Sequence, residues 1–126
     1  MLNDSDIIAR AISNKRYCKG NMVMPEAFHH PKWQMGASSC KLSFIHKNKF
    51  ADKEIFWDIC DKNVFKKERA TISSADIIVG DVEGKIKKPS FLDLQETFEG
   101  HCCLDMDMEL KILARELSLI SKLDWR

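Results

Sequence analysis

The chain reads as a single α+β domain over 1–126: a small mixed or antiparallel sheet, about three helices, and an amphipathic helix at the C-terminus. Three observations predict this. Its 126 residues are enough to bury one core without staples. Its 44% hydrophobic and 31% charged residues are the proportions of an ordinary globular domain. Strand-like and helix-like apolar spacings alternate along it, with no repeat, low-complexity tract or linker to divide it.

The elements follow in order. Asp4 or Ser5 can cap a short helix whose apolar residues Ile7, Ile8, Ala11 and Ile12 recur at i, i+1, i+4 and i+5. Asn14 to Gly20 breaks it, and Asn21-Met22-Val23-Met24 predicts a short strand ended by Pro25. From Glu26 to Ser39 the composition is that of a loop, with Pro31, Gly36, Ser38 and Ser39. Cys40 to His46 is a strand, Leu42 and Phe44 facing one way and Lys41, Ser43 and Ile45 the other. A helix over about 52–67 carries Ile55, Phe56, Ile59 and Cys60, with Val64, on one stripe.

Ser73 and Asp76 have the spacing of a capping box and predict a short helix through Ile77, Ile78 and Val79, closed by Gly80 and Gly84. Residues 81–90 then read as an exposed turn, and a strand from about Thr97 to Leu104 is interrupted by Gly100. The last helix is the plainest. Asp105 or Asp107 caps it, and Leu110, Leu113, Leu117 and Ile120 form its stripe, which Leu123 and Trp125 extend.

Charge is polarised. Residues 1–67 hold twelve Lys/Arg and seven Asp/Glu, a surplus of +5; residues 68–126 hold eight and twelve, a deficit of −4. Between Arg10 and Lys49 eight cations face a single acid, Glu26, with Tyr17, Phe28, Trp33 and Phe44 interleaved. Clustered cations mark a surface for an anionic partner or a solvated face. Lys15, Arg16, Lys19, Lys32, Trp33 and Lys41 are the candidate binding residues. With rings beside cations, nucleic acid is an alternative ligand.

No apolar run approaches the ~20 residues of a membrane span. The acidic, polar opening Met1 to Asp6 is unlike a signal peptide, so a cytoplasmic protein with free thiols is expected. Five cysteines and four histidines show no C-x-x-C or other paired-ligand spacing, so no metal or other cofactor is expected. His101, Cys103, Cys40 and His46 are the residues that would serve zinc if any did. Glycines at 20, 36, 80, 84 and 100 make neither a P-loop nor a dinucleotide fingerprint. Cys40 or Ser43 with His46 or His101 could pair a nucleophile with a base, Asp105 orienting the base, although no G-x-S-x-G elbow accompanies them.

Arg10 with Ile12, Ala27-Phe28, Leu42-Ser43, and His101 ahead of Leu113-Ala114-Arg115 together resemble a group of small bacterial proteins to which no activity is attached. The resemblance spans most of the chain and departs in length between Phe50 and Glu68. It implies no activity, but groups Arg10, Phe28, Ser43 and His101 as positions to test together.

The sequence therefore predicts a small bacterial binding or accessory module. It would engage an acidic protein partner or itself, as a symmetric dimer or head to tail. Two alternatives stand beside it: a nucleic-acid-binding protein using 10–49, and a small cofactor-independent nuclease or transferase using Arg10, Ser43 and His101.

Overall fold

The computed structural model describes residues 2–28, 42–87, 89–105 and 108–126. They build β1 (Ile7–Ile12), β2 (Cys18–Lys19), β3 (Met22–Val23), β4 (Leu42–His46), α1 (Lys53–Ile59), β5 (Ser73–Ile78), α2 (Val79–Lys85), β6 (Ser90–Asp93), β7 (His101–Asp105), α3 (Leu110–Ile120) and β8 (Lys122–Trp125). Six strands form an antiparallel sheet in the order β6-β7-β4-β1-β5-β8, while β2 and β3 pair as a separate hairpin. The α+β class, the antiparallel sheet and the C-terminal helix are as expected.

β1 is a strand where the spacing predicts a helix. It lies inside the sheet and pairs with β5 from Ile7–Ile78 to Ile12–Ser73. Ile8 and Ile12 are buried on one face and Ala9 on the other. Burial on both faces erases the alternation of a half-exposed strand and leaves a spacing that mimics a helix. The β-branched isoleucines favour the extended form.

β5 differs for the same reason. Ser73, Ser74 and Ala75 are all buried between β1 and β8, and the Ser74 hydroxyl donates to Asp76 at 2.7 Å instead of capping a helix. The helix starts later, at Val79, and contains both glycines that were expected to close it.

Other elements stand closer to their prediction. Leu42 and Phe44 bury together on β4. The helix expected over 52–67 is α1 plus a π-helical turn at Cys60–Val64, and the Asp52 carboxylate caps it by accepting from the Glu54 N–H at 2.9 Å. Its buried residues are Phe56, Trp57 and Cys60, whereas Ile55 is exposed. α3 buries Leu113, Ala114 and Leu117. Beyond it Leu123 and Trp125 belong to edge strand β8, paired with β5, and not to the helical stripe.

Two cores result. Ile8, Phe28, Phe44, Leu104, Leu113 and Leu117 pack between one sheet face and α2, α3 and the turn Pro25–Phe28. On the opposite face α1 covers a smaller cluster of Ala9, Ile45, Phe56, Trp57 and Cys60. Among the described residues no helix is long and apolar enough to cross a membrane.

Candidate functional site

β4 and β7 pair with Ser43 opposite Cys103 and Ile45 opposite His101. Residues two apart share a face, so the Ser43 and His101 side chains meet on the diagonal of that ladder. Ser43 Oγ lies 2.5 Å from His101 Nε2, and His101 Nδ1 lies 2.5 Å from Thr97 Oγ1. The Thr97 hydroxyl donates to the Leu94 carbonyl at 2.6 Å. That donation decides the tautomer. With its one proton committed to Leu94, Thr97 accepts from Nδ1–H, which leaves Nε2 to accept from the Ser43 hydroxyl.

Phe98 stacks on the imidazole at 4.3 Å between centroids and 10° between planes. Burial pulls the His101 pKa below its ordinary value, and Glu96 only partly opposes this, so the ring is neutral at pH 7. Gly100 sets the entry into β7 with φ of 83°, and its carbonyl accepts from the His46 N–H at 2.7 Å. A Cβ there would stand 2.9 Å from the Phe50 ring, so both the conformation and the space call for glycine.

Arg10 reaches the same serine from behind. Ala9 is in register with Ile45, so alternation puts Arg10 on the sheet face opposite the Ser43 hydroxyl. Its guanidinium donates from Nε to the Ala27 carbonyl at 3.1 Å and from Nη1 to the Ser43 carbonyl at 2.9 Å. Burial lowers its pKa to about 10, which leaves it cationic at pH 7. Arg10, Ser43 and His101 are thus linked, with Arg10 holding the Ser43 backbone and His101 its hydroxyl.

A second polar cluster lies under α1. Lys47 Nζ donates to Asp76 and Asp124 at 2.6 Å each and to the Ser74 hydroxyl at 3.1 Å. The ammonium also stands 4.9 Å from the Phe56 ring centre and 5.4 Å from that of Trp57. Asp76 is pushed up by burial, against the pull of Lys47 and Ser74. Asp124 is pulled down by its bonds to Lys47 and Lys53, which outweigh burial. The cluster ties β8 to β5 and to the chain just after β4.

The remaining candidates are scattered. Lys15, Arg16 and Lys19 are exposed on the 3-10 turn Lys15–Tyr17 and on β2. Lys32, Trp33, Lys41 and Cys40 lie outside the described residues. His46 Nε2 sits 3.3 Å from Asp6, off the line of a hydrogen bond. Among the described residues no group of three His, Cys, Asp or Glu could hold a metal ion.

Cys103 is disulfide-bonded, which corrects the expectation of free thiols, while Cys18, Cys60 and Cys102 are free. Burial pushes the Cys60 and Cys102 thiols up to about 12, so neither supplies a thiolate nucleophile at neutral pH.

No family model, no curated protein and no solved structure matches the chain. Thr97, Phe98 and the Lys47 cluster escaped the sequence reading. For Thr97 the one available signal was its place four residues before His101. Nothing in the sequence separated Lys47 from its surface neighbours.

Proposed function

We propose that this protein is a binding or accessory module that engages an acidic protein partner, or a second copy of itself, through the basic turn and hairpin at Lys15, Arg16 and Lys19. The observation that carries the reading is how the described cations of 10–49 divide. Arg10, Lys47 and Lys49 have internal partners: main-chain carbonyls, the Asp76–Asp124 pair and Gln95. Lys15, Arg16 and Lys19 are exposed, and among the described residues none of the ion pairs involves them.

Met22, opposite Lys19 in the hairpin, is 66% exposed and adds an apolar contact beside the cations. That combination suits a protein surface with its own acidic and apolar groups. It suits nucleic acid less well. Of the rings described in 10–49, Phe28 and Phe44 are buried in the core and offer no face for a base to stack on, and Tyr17 is partly buried against that core.

Complementary charge acts mainly on the rate of encounter. Reversing Lys15, Arg16 and Lys19 to Glu together therefore slows association by about tenfold or more at low salt, with a smaller effect at high salt. Association that is indifferent to the triple reversal would end this reading.

A further inference from the structure

We infer that Ser43 is a nucleophile activated by His101, and that this sheet face carries a hydrolytic site for neutral or cationic carboxylic esters. The inference stands on the hydrogen-bond chain from Ser43 to the Leu94 carbonyl, independently of the basic hairpin. Each proton in that chain has one place to be. Thr97 donates to Leu94, His101 donates through Nδ1 to Thr97, and Nε2 is left as the base 2.5 Å from the Ser43 hydroxyl. Phe98, stacked on the ring, and Arg10, clamped on the Ser43 carbonyl, hold the two partners in that geometry. Ser43 and His101 are both partly exposed, so a substrate can reach them.

The surroundings choose the substrate class. Glu96 acts on His101, and Asp93 at the end of β6 and Glu99 in the β6–β7 connection are exposed. Among the described side chains Lys49, a cation on this rim, is bonded to Gln95. An acid-rimmed site repels phosphate esters and carboxylate-bearing substrates, and accepts neutral or cationic ones.

The chemistry balances without a cofactor. Ser43 Oγ bonds to the ester carbonyl carbon while its proton passes to His101 Nε2, and the carbonyl π pair moves onto oxygen. Collapse of the adduct breaks the bond to the leaving oxygen, which takes the proton from Nε2 and departs as the alcohol. Water then adds to the acyl-serine carbonyl and gives a proton to Nε2. The bond from carbon to Oγ breaks, Oγ takes that proton back, and the carboxylic acid leaves. Thr97 Oγ1 steadies the imidazolium Nδ1–H in both halves.

The test treats the full chain with an uncharged fluorophosphonate and maps the adduct by mass spectrometry. We expect one phosphonyl group, on Ser43. His101→Gln should slow labelling about 100-fold. Thr97→Val should slow it less, with Thr97→Ser restoring it. The labelling rate should rise with pH through a midpoint below the ordinary histidine value. An unlabelled Ser43 in the wild-type protein, which needs no variant to fold, would overturn the inference. So would equal labelling rates in wild type and in a His101→Gln protein whose circular dichroism is unchanged.

Discussion

Replacing Lys47 by Met removes the one charge that both Asp76 and Asp124 contact at 2.6 Å. Among the described residues it leaves Asp76 without a cation beneath α1, beside an Asp124 held only by the more exposed Lys53 at 2.9 Å. The side chains of Lys47, Asp76 and Asp124 are 11%, 18% and 27% exposed, so water neither screens them fully nor abandons them. Breaking a buried pair from one side costs about 3–5 kcal/mol, and the residual exposure puts this case at the lower end, about 3 kcal/mol. Methionine keeps most of the packing against Phe56 and Trp57 but loses the cation over their rings. For a chain of this size about 3 kcal/mol corresponds to a fall in Tm of about 12 °C at pH 7.

The pH dependence carries a sign. In the wild-type protein Asp124 is depressed, so its contribution is present above its unfolded pKa and is lost as pH falls through the folded value. Asp76 is raised, so its contribution runs the other way and is lost as pH rises through its folded value. The two partly cancel. In Lys47→Met the carboxyl of Asp76 loses the cation that opposes its burial while Asp124 keeps Lys53, and the deficit should shrink from pH 7 toward pH 4 as a proton neutralises Asp76. Thermal unfolding followed by circular dichroism at both pH values reads this directly. A Tm within about 3 °C of wild type at pH 7, or a deficit of equal size at pH 4, would refute the reasoning.

Other expectations follow from the same structure. Gly100→Ala should destabilise by about 2 kcal/mol or more, because it combines a left-handed backbone with a Cβ pressed on Phe50. Chemical denaturation would read it, and a neutral result would mean that the entry to β7 is looser than drawn. Alkylation of the denatured, unreduced protein should modify Cys18, Cys60 and Cys102 and spare Cys103 until reductant is added. Equal modification of all four would remove the disulfide from the account.

The fold class was legible, and so was α3, whose leucine spacing has no strand counterpart. β4 was legible too, because Leu42 and Phe44 alternate cleanly with Ser43. β1 and β5 were not. Both lie inside the sheet with residues buried on each face, and Ser73, Ser74 and Asp76 resemble a helix cap until the partners Lys47 and Asp124 are seen in space. Arg10, Ser43 and His101 were nameable one by one. The resemblance also grouped them, but how they connect was not legible, since it depends on the register of β4 with β7 and on a threonine that had no mark of its own. The charge polarity was visible at once, but which cations face outward depended on the fold: Lys47 lies in the same basic run as Lys15 and is held inside.

The most direct test of the central claim is quantitative affinity capture from native lysate at low and high salt. The wild-type chain and the Lys15→Glu, Arg16→Glu, Lys19→Glu protein serve as paired baits. An acidic protein, or further copies of this chain, should be retained by the wild type at low salt and lost with the triple reversal. The same proteins retained equally by both baits, at both salt concentrations, would contradict it.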